Sequence, residues 1–150
     1  MSDSSEYSLR IERTFNASAE EVFDAWTSPE VMRRWFHCRE NWSTPEVEVD
    51  LRVGGHIRVV MRHPDATEEE MGGTFTSIDR PRHLAMTWTF SEEPSDEQAL
   101  ELCFSESGGR TTVVLVNRRI GSGERRDLQH TGWQGCFDEL ARHWFAGAVV

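Results

Sequence analysis

The stretch Gly132-Trp133-Gln134-Gly135-Cys136-Phe137-Asp138-Glu139-Leu140-Ala141-Arg142-His143-Trp144-Phe145-Ala146-Gly147-Ala148 carries the longest helical pattern in the chain. Trp133, Cys136, Phe137, Leu140, Ala141, Trp144, Phe145 and Ala148 fall at i, i+3, i+4, i+7, i+8, i+11, i+12 and i+15, one unbroken apolar stripe. Gln134, Asp138, Glu139, Arg142 and His143 are expected on the wet side, with Asp138–Arg142 and Glu139–His143 as i, i+4 pairs. Gly132 and Gly135 are costly inside a helix. Two explanations stay open for them: close backbone packing, or room kept clear for a bound molecule.

Upstream of this helix the period changes to two. Leu84, Met86, Trp88 and Phe90 alternate with Ala85, Thr87 and Thr89, the clearest strand signal in the chain. Similar runs occupy Val47–Val49, Ile57–Met61, Met71–Asp79, Leu100–Phe104 and Thr111–Val116, with turn residues between them. With no helical pattern between the runs, they predict an antiparallel meander. The acidic run Glu68-Glu69-Glu70 is expected to be a solvated loop. At the other end, Leu9, Ile11 and Phe15 alternate with Arg10, Glu12 and Thr14 in a first strand. Ser18-Ala19-Glu20-Glu21 is then a capping box that opens a short helix with Ala19, Val22, Phe23 and Trp26 on one face. Ser28-Pro29 starts a second short helix, with Ser as N-cap and Pro at the first position.

The 150 residues are expected to form a single domain, with residues 1–7 a flexible lead-in. A net charge of −10 and the complete absence of Lys argue against nucleic acid, anionic membranes and any lysine-based chemistry. The polar opening residues lack the pattern of a secretory leader, and no apolar run is long enough to cross a membrane. Cys38, Cys103 and Cys136 are odd in number and widely spaced, which predicts reduced thiols in a cytoplasmic protein. No cofactor or metal site is expected.

One apolar helix stripe and one apolar sheet face are buried most economically against each other. The expected fold is therefore α+β, a helix-grip. A curved antiparallel sheet of six to seven strands wraps around the long C-terminal helix, with two short helices after strand 1. The order of motifs carries a family resemblance. Phe15-Asn16-Ala17-Ser18, Val22-Phe23-Asp24-Ala25-Trp26-Thr27, Pro29-Glu30, Arg34-Trp35-Phe36, Val49 to Gly55, Leu84 to Phe90 and Gly132-Trp133 together resemble the START-like, helix-grip superfamily. Within it they are most similar to the branch named after the activator of the heat-shock-protein-90 ATPase. The resemblance implies a hydrophobic cavity between the last helix and the sheet. After Arg34-Trp35-Phe36 the family usually continues with Gly-Pro, and here His37-Cys38 stands instead. That loop is expected at the cavity rim, so the entrance is expected to differ.

Six Trp and eight Phe against one Tyr need a large apolar space to fill or to line. Trp26, Trp35, Trp42, Met61, Phe75, Met86, Trp88, Trp133 and Phe137 are the candidate lining residues. His37, His130 and Arg13 are the candidate polar groups, while His63, His83 and His143 are expected to be exposed. No nucleophile–base signature or metal-binding motif is present. The expected function is a small-molecule binding module for a hydrophobic or aromatic ligand, working as a monomer or homodimer. A cavity enzyme of polyketide cyclase or hydrolase type, and a chaperone-associated protein partner, are the alternatives.

Overall fold

A computed structural model describes residues 7–143. Trp144, Phe145 and Ala148 of the apolar stripe lie outside the described residues. The elements in chain order are β1 (Tyr7–Phe15), α1 (Ala19–Ala25), α2 (Pro29–Trp35), β2 (Ser43–Val49), β3 (His56–Arg62), β4 (Glu68–Asp79), β5 (His83–Phe90), β6 (Gln98–Ser107), β7 (Arg110–Ile120) and α3 (Gly123–His143). Seven strands form one curved antiparallel sheet in the order β1-β7-β6-β5-β4-β3-β2. The strands β2 to β7 run as a meander, and β1 closes against the last of them. This is the expected helix-grip. Among the described residues no helix is long and apolar enough to cross a membrane.

Local chemistry sets the two short helices. The Ser18 hydroxyl accepts from the Glu21 N–H while the Glu21 carboxylate accepts from the Ser18 N–H, so two otherwise orphaned donors at the start of α1 are satisfied. Ser28 caps α2, and Pro29 stands at its first position, where no amide hydrogen is required. The helices are short, and tertiary packing holds them. Trp26 and Trp35 meet edge to face with centroids 4.7 Å apart, and Trp35 Nε1 donates to the Ala25 carbonyl at 3.0 Å.

The curvature has a steric cause in β4. A Cβ on Gly72 would lie 2.0 Å from the Ile57 carbonyl oxygen of β3, and one on Gly73 would lie 1.9 Å from the Thr87 carbonyl oxygen of β5. Only glycines let the two neighbouring backbones approach so closely. A register shift between Phe75 and Ser77 adds a further bend.

Three features differ from the sequence expectation. Glu68, Glu69 and Glu70 belong to β4 rather than a loop, because β3 supplies cations opposite them. Arg58 bridges Glu70 and Glu46, and Arg62 pairs with Glu68. The helix α3 begins at Gly123, ten residues before the apolar stripe. Its first turns are held mainly by polar contacts such as Gln129 with Asn117 and Arg125 with Asp96, so they carry no continuous apolar face, and Leu128 there is 68% exposed. Finally, Glu139 is on the buried side, only 1% exposed, with His37 Nε2 3.4 Å from its Oε1 and Arg142 against its other oxygen. Arg142 therefore pairs at i+3 and reaches Glu40, while Asp138 pairs with Arg13 of β1.

The helix is seated on the sheet by one carboxamide. Asn117 of β7 is fully buried; its Oδ1 accepts from Trp133 Nε1 at 3.1 Å and from Gln129 Nε2 at 2.9 Å, and its Nδ2 donates to Gln98 Oε1 at 3.0 Å. Replacing Asn117 with Leu strands the Trp133 indole N–H in the core, while Gln98 Oε1 keeps its bond from Gln129 Nε2. Asn117→Leu is expected to lower unfolding free energy by about 2–3 kcal/mol in urea titration. A change within about 0.5 kcal/mol would show that the network carries no net stability.

Candidate functional site

The sheet curves more than a straight helix can follow, and a cavity of about 630 Å³ opens between them. Its walls come from three places. The first two-thirds of α3 contributes Arg125, Leu128, Gln129, Gly132, Trp133 and Cys136. The segment after α2 contributes Phe36, Cys38, Arg39 and Trp42, and the sheet contributes Met61, Met71, Trp88 and Phe90. The wall is mainly aromatic and thioether, with polar groups at the rim.

The rim is fixed by paired charges. Trp42 stacks on His63 with centroids 3.9 Å apart, and His63 Nε2 is 2.6 Å from Glu69 Oε2. That stack half-buries His63, which the sequence placed in solvent. Arg125 lies over Phe90 and pairs with Asp96 at 3.1 Å. On the opposite side Arg13 reaches from β1 to Asp138 at 3.0 Å and to Gln134 at 2.9 Å, both of them lining residues. Two of the wall's carboxylates are thus already engaged, Glu69 by His63 and Asp138 by Arg13.

The candidates named from sequence separate into two groups. Trp42, Met61, Trp88 and Trp133 stand on the cavity wall. Trp26, Trp35, Phe75, Met86 and Phe137 are buried in the core and do not line that wall, with Trp26 packed behind it against Trp133 at 6.3 Å between centroids. Arg13 touches the wall only through Gln134 and Asp138, and His130 is half-buried on α3 outside the lining. His37 is 6% exposed and sits behind the wall. The Thr44 hydroxyl donates to the Phe36 carbonyl at 2.7 Å, so its lone pair accepts from His37 Nδ1–H at 3.0 Å. The other ring nitrogen, Nε2, lies 3.4 Å from Glu139 Oε1 on α3, so the ring stands between the segment after α2 and α3.

Sequence reasoning missed Cys38, Met71, Phe90 and Gln129 as lining residues; the alternation of Met71 and Phe90 within their strands was a usable signal. Nothing in the sequence signalled that Cys38 meets Cys136. The neighbouring Cys136 thiol and Arg39 hold Cys38 below the ordinary thiol range. Cys38, burial and Glu139 push Cys136 well above it. On the outer face of β5 and β6, ligand-type atoms of His83, Glu101 and Cys103 lie within 4.8 Å of one another. Glu101 there is already bound by His83 and Arg118, which hold its carboxyl below the usual range.

The two helix glycines have different causes. A Cβ on Gly135 would lie 2.1 Å from the Cys38 carbonyl oxygen, so close backbone packing explains this glycine. A Cβ on Gly132 would meet only Cys38 Sγ at 3.5 Å, an ordinary contact beside the cavity. Gly135→Ala is expected to cost more than about 2 kcal/mol, whereas Gly132→Ala is expected to be neutral or to gain up to about 1 kcal/mol from helix propensity. Equal losses in thermal unfolding of the two variants would contradict this distinction.

Comparison with known proteins agrees with this architecture. Residues 16–144 match the family model described as activator of Hsp90 ATPase homolog 1-like protein. The activator of 90 kDa heat shock protein ATPase homolog 1 of mouse is 26% identical over 138 residues, covering 91% of this chain and 36% of the relative. The solution structure of an AHSA1-like protein from Aeromonas hydrophila superimposes with a TM-score of 0.77 at 26% identity, covering 91% of this chain and 90% of that one. A crystal structure of a Chromobacterium violaceum protein gives 0.80 at 20% identity, over 91% and 96%. A curved seven-stranded sheet gripping a long C-terminal helix defines a START-like protein. The chain belongs to the activator of Hsp90 ATPase homolog 1-like family. It spans about a third of the length of the curated relatives it matches.

Proposed function

We propose that the protein, acting as one 150-residue unit, binds a small hydrophobic or aromatic molecule in the cavity between α3 and the sheet. The observation that carries this is the cavity itself: about 630 Å³, within the usual range of small-molecule sites, and walled by Trp88, Trp133, Phe90, Met61 and Met71. Removing apolar ligand surface from water supplies the driving force, about 25 cal/mol per Å². Methionine side chains on two adjacent strands adapt to different ring shapes, which suits a site of broad specificity. Arg39 at the mouth is suited to orient a ligand that carries an acidic or carbonyl group.

A protein-partner role is the second proposal. It is favoured by the names of the curated relatives, which describe activation of the 90 kDa heat shock protein ATPase. Direct measurement of ATP hydrolysis by that chaperone, with and without this chain, separates it from ligand binding.

The cavity proposal is tested by titrating 1-naphthol and following tryptophan fluorescence, since two of the wall residues are Trp88 and Trp133. Saturable quenching is expected, with a raised melting temperature. Gly132→Leu places a side chain in the cavity at a position that tolerates a Cβ. It is expected to weaken binding at least about tenfold, roughly 1.4 kcal/mol, without loss of stability. Unchanged affinity in that variant, or no saturable signal in the parent protein, would contradict the proposal.

A further inference from the structure

We propose that Cys38 and Cys136 form a redox-active dithiol pair on the cavity wall, closed to a disulfide by a hydroperoxide. Cys38 belongs to the segment after α2 and Cys136 to α3, so no sequence spacing pairs them. Two geometric facts bring them together. At Gly135 the helix backbone rests directly on the Cys38 carbonyl, 2.1 Å from where a Cβ would stand. One turn away, Cys38 Sγ lies 3.5 Å from the equivalent point on Gly132. Cys38 Sγ is also 4.0 Å from Met61 Sδ, which places it at the cavity surface. Gly132 and Cys136 are four residues apart on one face of α3, so Cys136 stands on the face that Cys38 packs against, and both residues line the cavity. Cys103 is on the opposite face of the sheet, beside His83 and Glu101, and serves as an internal control.

The two thiols are not equivalent. Cys38 is half-buried on the cavity wall and lies next to Arg39, which leaves it open to a peroxide and favours its thiolate. Cys136 is fully buried close to Glu139 and keeps its proton. Cys38 is thus the attacking sulfur and Cys136 the resolving one. The Cys38 thiolate attacks one oxygen of ROOH; an S–O bond forms, the O–O bond breaks, and the departing alkoxide takes a proton to become ROH. Cys38 is then a sulfenic acid, and the hydroperoxide has been reduced by two electrons. The Cys136 sulfur next attacks the Cys38 sulfur; the S–S bond forms, the S–O bond breaks, and hydroxide leaves as water with the Cys136 proton. In sum, two thiols and ROOH give a disulfide, ROH and water. The apolar wall accommodates an organic R group, while hydrogen peroxide is the case in which R is hydrogen. The step requires only that the peroxide reach Cys38, whatever else the cavity holds.

The test uses the reduced 150-residue chain treated with cumene hydroperoxide and, separately, hydrogen peroxide. Intact mass is expected to fall by about 2 Da, with a non-reduced peptide joining Cys38 to Cys136 and Cys103 left free. The linked product is expected to form at least about tenfold faster than Cys103 oxidises. Cys136→Ser is expected to stop at a dimedone-reactive sulfenic acid, a gain of about 16 Da, and Cys38→Ser to abolish the fast reaction. Should either variant fail to fold, the peptide map of the unmodified chain decides alone. Oxygen addition without the linked peptide in the unmodified chain, or oxidation of Cys38 no faster than Cys103, would overturn the proposal.

Discussion

A single buried carboxamide decides how far the long helix stands from the sheet. Asn117 takes the indole hydrogen of Trp133 and one amide hydrogen of Gln129, and gives its own to Gln98, so α3 cannot slide or roll on β7 without leaving these groups unpaired in the core. An apolar contact in the same place would fix neither direction nor rotation, because dispersion forces have no preferred angle. Two further contacts act nearer the other end of the helix: Gly135 against the Cys38 backbone, and Glu139 against His37. Between these anchors the sheet bends away at Gly72 and Gly73, and the helix does not follow.

The cavity is the geometric remainder of those constraints. Its floor is rigid because Trp133 is held at both its ring and its N–H: the ring packs on Trp88 with centroids 5.7 Å apart, and the nitrogen is bonded to Asn117. Its mouth is polar because the first turns of α3 face water on most sides. A rigid apolar floor beneath a polar mouth would lose little conformational entropy if the proposed ligand bound there. Family membership supplies the fold, and fold alone assigns neither a ligand nor a chaperone partner.

Much of the fold was legible in the sequence because local chemistry and tertiary packing agree there. The Ser18 capping box, Pro29 at the helix start, the alternation from Leu84 to Phe90 and the stripe through Leu140 all form as read. The start of α3 was not legible, since residues 123–132 have no apolar face to bury and so carry no period. The acidic strand start was not legible either, because its support comes from arginines on β3. The candidate site was legible by residue type and not by position. Trp26 and Trp133 look alike in sequence, yet one packs under the short helices and the other walls the cavity. Asn117 was hidden in a run of β-branched residues, Glu139 looked like an ordinary wet-face acid, and Cys38 with Cys136 is a pairing only tertiary structure makes.

The central claim is that a probe enters beside Trp88 and Trp133 and leaves the core tryptophans untouched. Indole N–H resonances in a two-dimensional nitrogen-15 spectrum, recorded while 1-naphthol is added, measure this directly. The account predicts saturable shifts for Trp88, Trp133 and Trp42, with Trp26 and Trp35 stationary. Shifts of equal size at Trp26 and Trp35, or no shift at Trp88 and Trp133, would contradict it.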